Sequence, residues 1–111
     1  MSSAESMTTT YAALAWKAWD TNRARAAELK SLITEWDRTG ACTTEQRQHA
    51  GAIAHSLRGS AGTFGHVEAS RAAEELVTLL APPRQDGEPG QLVVLMARID
   101  EGLASEPVLE Y

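Results

Sequence analysis

Residues 43–65 read TTEQRQHAGAIAHSLRGSAGTFG. The opening is a capping box: the Thr43 hydroxyl is set to accept from the Gln46 amide while the Gln46 side chain reaches back, which predicts a helix from here to about Thr63. At ~100° per residue Ala50, Ile53, Ala54, Leu57, Ala61 and Phe64 fall within one arc of the helical wheel. A helix with a single apolar stripe needs other elements to cover it. The fold therefore turns on what the flanking sequence supplies.

Upstream, residues 8–38 contain neither Pro nor Gly. Tyr11, Leu14, Ala15, Ala18, Ala26, Leu29, Ile33 and Trp36 recur at three- and four-residue steps, apart from one skip at the polar Asn22, so a long amphipathic helix is predicted with Gly40 as its stop. At ~1.5 Å per residue it would reach roughly 45 Å, longer than a small bundle needs. Its first turns are expected to overhang or to form a separate short helix. Downstream, Val67, Ala73, Leu76, Val77 and Leu80 mark a third helix ended by Pro82 and Pro83, since proline lacks the amide proton and disfavours a helical residue before it. Residues 86–90 read as a loop, and Leu92, Leu95, Met96, Ile99 and Leu103 as a fourth helix. No segment alternates with a period of two, so no sheet is expected. The predicted fold is an all-α antiparallel four-helix bundle over residues 8–105. Residues 1–7 are expected to be a disordered tail, and residues 106–111 a tail or the start of a linker.

Composition narrows the function. The chain has 111 residues, 43% of them apolar and 23% charged, with ten basic against fifteen acidic residues and a net charge of −5. One core suffices for this length. The basic residues are dispersed, which argues against a nucleic-acid or anionic-membrane partner. A single cysteine, Cys42, excludes an internal disulfide framework and a cysteine-rich zinc site. The first residues lack a basic stretch followed by an apolar one, and no apolar run approaches the length of a bilayer span, so a cytoplasmic protein is expected.

The second helix carries an anomaly. His55 falls outside the core arc, and Gly51, Gly59 and Gly62 lie within about 40° of it on the wheel. Glycine inside a helix costs about 1 kcal/mol relative to alanine, so a merely solvated face would carry Glu, Lys or Gln instead. What glycine supplies is clearance for a bulky partner. Arg58, one turn on, brings a permanent cation within reach of any anion held by His55. An imidazole with an ordinary pKa near 6.5 is largely neutral at cytoplasmic pH, and its lone pair is a competent nucleophile. The arrangement suits a phosphoryl group. The sequence contains no glycine-rich nucleotide loop or Walker lysine and no magnesium site, so donor, acceptor and metal must come from partners.

Over residues 54–65, AHSLRGSAGTFG, the chain resembles the histidine phosphotransfer (HPt) domain, and is especially similar to the phosphoacceptor domain of chemotaxis histidine kinases. The similarity is dense over roughly residues 53–80. The resemblance implies a cytoplasmic four-helix bundle that carries a phosphoryl group on Nε2 of His55, to or from the aspartate of a response-regulator receiver domain, with a histidine kinase upstream. It makes Arg58 the phosphoryl-steadying cation, where the family usually has lysine, and Gly59 the residue that keeps the docking face open. Gln48, Gly51, Ala52, Gly59 and Gly62 are the expected docking surface. No cofactor or metal ligands are expected in the chain itself, with Mg²⁺ on the partner. The position 22 residues after the histidine often carries Glu or Gln in relatives, to bond the imidazole's other nitrogen. Here it is Val77, with Glu74 and Thr78 as nearby substitutes.

The remaining candidates read as structural. His49 and His66 are expected to be structural or solvated, and a zinc site built from the three histidines is not expected, because a six-residue separation does not aim His49 and His55 at one point. Trp16, Trp19 and Trp36 are expected at the core or its rim, with one of the first two exposed and available for self-association. Cys42 is expected to be inert. Gly51 serves equally as a docking or a helix-packing residue. Two alternatives stay open: an interaction or dimerisation bundle that is not phosphorylated, and a fragment of a larger signalling kinase.

Overall fold

A computed structural model describes the backbone of residues 3–81 and 89–107 and the side chains of residues 10–81 and 90–107. Four helices follow in order: α1 Ser3–Thr39, α2 Thr44–Thr63, α3 Val67–Leu80 and α4 Pro89–Gly102. Each packs on its two neighbours in a closed ring, α1 on α2, α2 on α3, α3 on α4 and α4 on α1. The described residues form no strand. This is the expected four-helix bundle.

The ends of the helices follow from local chemistry. Gly40 stops α1 at a left-handed φ of 74° and donates its amide to the Trp36 carbonyl at 2.7 Å. The capping box at Thr43 is formed in both directions, at 3.0 Å and 2.9 Å. At the other end of α2, Gly65 adopts φ 90° and donates to Gly62, while His66 donates its amide to Ala61. These two bonds make a Schellman turn, which requires a residue able to sit in the left-handed region. It directs the chain straight back into α3.

The stripe on α2 buries Ala50, Ile53, Ala54, Leu57 and Ala61 in one core with Leu29 and Ile33 of α1, Leu76 and Leu80 of α3, and Leu92, Met96 and Ile99 of α4. Each fully buried aliphatic side chain contributes about 1.5–3 kcal/mol. The far end of the bundle is tied by polar bonds: the Trp19 indole donates to the Leu103 carbonyl at 2.8 Å, and the buried His66 ring donates through Nε2 to the Ser105 carbonyl at 2.9 Å. Gly102 ends α4 against α3, for a Cβ there would stand 2.7 Å from the Ala69 amide nitrogen.

Several expectations are corrected. Helix α1 begins at Ser3, so residues 3–7, expected as a tail, have helical backbone. The reason is the uninterrupted absence of Gly and Pro from 3 to 39 together with good helix formers such as Ala4, Glu5 and Met7. Asn22, the apparent skip in the stripe, is fully buried. Its side-chain amide donates to the Ser60 hydroxyl of α2 at 3.1 Å and its carbonyl accepts from Arg25 at 3.3 Å, so a polar pair sets the α1–α2 register where an apolar side chain was expected. Leu14 and Val67 stay exposed, at 54% and 49%, because each lies off the arc that faces the neighbouring helices. Phe64 is half-buried; it caps α2 and stacks on Tyr11 with ring centroids 5.8 Å apart. Pro89 and Gly90 belong to the first turn of α4 instead of the loop, since proline's fixed φ suits the first helical position. Pro107 is buried, so the expected tail begins packed. Pro82, Pro83 and residues 86–88 lie outside the described residues.

Asn22→Ala should destabilise the bundle by about 1–3 kcal/mol, through the lost bond and the cavity left behind. A lowered midpoint of urea unfolding with an unchanged slope would register it. A midpoint equal to the parent's would show that the Asn22–Ser60 pair is dispensable.

Candidate functional site

His55 stands on the outer side of α2 and is exposed. Its ring has no hydrogen-bond partner among the described residues. A helical side chain leans toward the preceding turn, here Gly51 and Ala52, neither of which rises to meet the ring. One turn further along lie Arg58 and Gly59. The Arg58 side chain is half-exposed, and among the described arginines it alone forms no ion pair, cation–π contact or side-chain hydrogen bond. An exposed imidazole and an uncommitted guanidinium thus share one ridge.

Helix α3 forms the near wall. A Cβ on Gly51 would meet the Leu80 Cβ at 3.9 Å, and one on Gly62 would meet the Ser70 Oγ at 3.0 Å. Counting between these two contacts in an antiparallel pair brings Leu76 and Val77 level with His55, and Ala73 and Glu74 level with Arg58. Val77 is half-buried and packs on the core. Neither expected substitute reaches the imidazole: the Thr78 hydroxyl donates to the Glu74 carbonyl of its own helix at 3.2 Å, and the Glu74 carboxylate pairs with no described residue. Nothing within the described residues sets the tautomer of His55.

The expected docking residues divide. Gly59 is open, with no atom within 4 Å of an added Cβ. Ala52 and Gln48 are exposed on the same helix. Gly51 would accept a Cβ in ordinary contact with Leu80, so packing does not demand glycine there. Gly62 is different, because it also has a packing contact. It makes room for the Ser70 hydroxyl, which donates to the Arg58 carbonyl at 2.8 Å and ties α3 to the turn of α2 beside the site. Gly62 is also exposed on its outer side. The pairing with Ser70 spans two helices, so no local spacing announces it.

The other histidines are engaged elsewhere. His49 pairs through Nε2 with Glu28 of α1 at 2.7 Å, and His66 is buried in the α2–α3 turn. Trp36 packs on the core, Trp19 is half-buried and Trp16 is 38% exposed. Burial pushes the Cys42 thiol above its usual pKa, with Arg47 partly opposing. A cavity of about 360 Å³ beside Trp36 and Cys42, and another of about 540 Å³ along the α3–α4 surface, both lie off the His55 ridge. Among the described residues no helix is long and apolar enough to cross a membrane.

A protein-family model described as the Hpt domain matches residues 13–105. Comparison with curated proteins and with solved structures gave no match.

Substituting the two ridge glycines should separate their roles. Gly59→Ala should raise stability by about 0.5–1 kcal/mol, the helix-propensity gain at an open position. Gly62→Ala should gain nothing or lose stability, because the Ser70 hydroxyl must move. Thermal unfolding of both variants checks this, and equal gains would contradict the packing role of Gly62.

Proposed function

The chain belongs to the Hpt domain family, and from that premise we propose that His55 is the phosphoacceptor, with Arg58 steadying the phosphoryl oxygens and the ridge of Ala52, Gly59 and Gly62 receiving the partner. Hpt domains perform histidine phosphotransfer in two-component signalling and interact there with kinases and response regulators. One observation carries the assignment to His55. Of the three imidazoles it alone is exposed and uncommitted, since His49 is paired with Glu28 and His66 is buried against Ser105.

The chemistry is a displacement at phosphorus. The lone pair of neutral His55 attacks the phosphorus of an aspartyl phosphate on a receiver domain. The N–P bond forms as the acyl O–P bond breaks, the electron pair leaves with the aspartate carboxylate, and the ring keeps its single proton on the other nitrogen. The reverse step returns the group to a receiver. Transfer of this kind rests on in-line placement and on neutralising the equatorial oxygens, which is the part assigned to Arg58. Arginine keeps the charge of the usual lysine but is planar and bulkier, and it suits a fork of two oxygens. Mg²⁺ and the remaining donors are assigned to the partner, kinase or receiver, and a cytoplasmic setting fits such partners.

A second reading, an interaction bundle without phosphorylation, is favoured by Val77, which leaves the imidazole without an orienting acceptor. The two readings separate on label. Incubated with a cognate histidine kinase and ATP, or with a phosphorylated receiver, the protein should take up acid-labile, alkali-stable phosphate. His55→Gln should take up none, and Arg58→Ala should slow uptake by at least about tenfold, the scale of one lost charge-assisted contact. Equal labelling of His55→Gln and the parent would transfer the role to another residue, and a receiver that binds without exchanging phosphate would favour the second reading.

A further inference from the structure

Helix α4 is apolar on both of its sides. Leu92, Leu95, Met96 and Ile99 are buried in the core, while Val93 and Val94 are 40% and 62% exposed and Gly90 and Ala97 are exposed with them. No residue of α4 before Arg98 is charged. Helix α3, of the same length, exposes Glu68, Arg71, Glu74 and Glu75. A surface helix carries polar residues on its outer side, whereas one that is apolar all round is a helix covered all round. The pattern of α4 is thus that of a helix with a neighbour on its outer side.

At ~100° per residue Gly90, Val93, Val94, Ala97 and Glu101 fall within about 100° of arc, along a strip roughly 16 Å long. A Cβ on Gly90 would meet no atom within 4 Å. Ion pairs border the strip on both flanks, Lys30 of α1 with Asp100 at 3.2 Å and Arg98 with Glu75 of α3 at 3.3 Å. Each pair neutralises itself, so the margins are polar and the centre is bare, the arrangement of core and rim found in protein interfaces. Helix α4 packs on α1 and α3 and lies diagonally across the bundle from α2. The strip therefore faces away from His55.

We propose that the strip pairs with its own copy, α4 against α4 in antiparallel sense, about a two-fold axis midway between Val94 and Ala97. An isologous contact sets one patch against itself, so like charges must be kept apart. Antiparallel pairing does this: Val94 comes opposite the copy's Ala97, Arg98 opposite Val93, and Glu101 opposite the bare Gly90. Parallel pairing would set Glu101 on Glu101. A helix about 21 Å long with its ion-paired margins covers less than the ~800 Å² per partner of a standard interface, so the dimer is weak and depends on concentration. Both His55 ridges stay open in it. The inference does not depend on which residue accepts a phosphoryl group.

The test is sedimentation equilibrium of the full chain from micromolar to millimolar concentration. The parent should pass from monomer to dimer, and the dimer should tighten as salt is raised, because each copy carries a charge of −5 and screening relieves their repulsion. Val94→Lys should raise the dissociation constant by at least about tenfold, and Val94→Ser by less in the same direction. Thr21→Lys makes the same change of charge at an exposed position in the α1 row of Glu28, which faces α2, and should dimerise like the parent. With Cys42→Ser in both, copies carrying Val94→Cys and copies carrying Ala97→Cys should oxidise to a mixed disulfide faster than either oxidises alone. A parent that stays monomeric at millimolar concentration overturns the proposal, as does a dimer that both Val94 variants leave unchanged or that salt dissociates. An equal loss in Thr21→Lys overturns it as well, since the effect is then one of net charge. A mixed disulfide that forms no faster than the others overturns the antiparallel pairing.

Discussion

The bond from the Ser70 hydroxyl to the Arg58 carbonyl, made in the space that Gly62 leaves vacant, sets how α2 and α3 sit against each other. A helix carbonyl ordinarily serves its own ladder; this one accepts a second donor from the neighbouring helix, which pins the turn that carries Arg58. With that turn held, the residues three positions back and one position on, His55 and Gly59, keep the exposed outer side of α2. The exposure of the imidazole thus follows from an interhelical contact as much as from the amphipathic pattern. Had position 62 carried a larger side chain, α3 would stand further off. The floor beneath His55 would then open toward the core.

Helix α2 was the most legible part of the chain, because its signals are local. A capping box and a one-sided stripe act over three to five residues, and Thr43 and Ala61 do what their spacing implies. The regular positions of α4 were legible for the same reason. Asn22 was not. A polar residue in an apolar register reads as an interruption, and only the Ser60 hydroxyl, 38 positions away, makes its burial favourable. Leu14 and Val67 failed in the opposite sense, since hydrophobicity alone does not say which arc of a helix meets a neighbour. The candidate site shows the same division. His55, Arg58 and Gly59 follow from the wheel of one helix, whereas the second role of Gly62 needs Ser70 and hence the tertiary pairing.

The three histidines show how environment sorts one side chain among different tasks. The His49 ring gives a nitrogen to Glu28, and the His66 ring gives one to a backbone carbonyl in a buried turn. Each is thereby committed to structure. His55 carries no such commitment, and the absence of an orienting acceptor at Val77 leaves both nitrogens open to whatever approaches. Freedom of this kind weakens a nucleophile that must work alone in a prearranged pocket. It costs less in a carrier whose reaction geometry is completed by the partner's own active site, because the imidazole is then ordered at the moment of docking.

The openness of the ridge has a stability cost that the rest of the bundle must offset. Glycines at positions 51, 59 and 62 each cost a helix about 1 kcal/mol relative to alanine, a substantial sum against the marginal stability of a domain this size. The offsetting contacts cluster around α2: the reciprocal cap at Thr43, the Schellman turn at Gly65, the Asn22–Ser60 pair and the Ser70–Arg58 bond. Alanine in the core has a matching effect, since Ala54, Ala61, Ala72 and Ala73 are essentially fully buried and let the helices approach closely. A helix weakened on its outer side is thus held by its ends and its inner side. Local fluctuation is then expected to concentrate in the middle of α2, where the exposed imidazole sits.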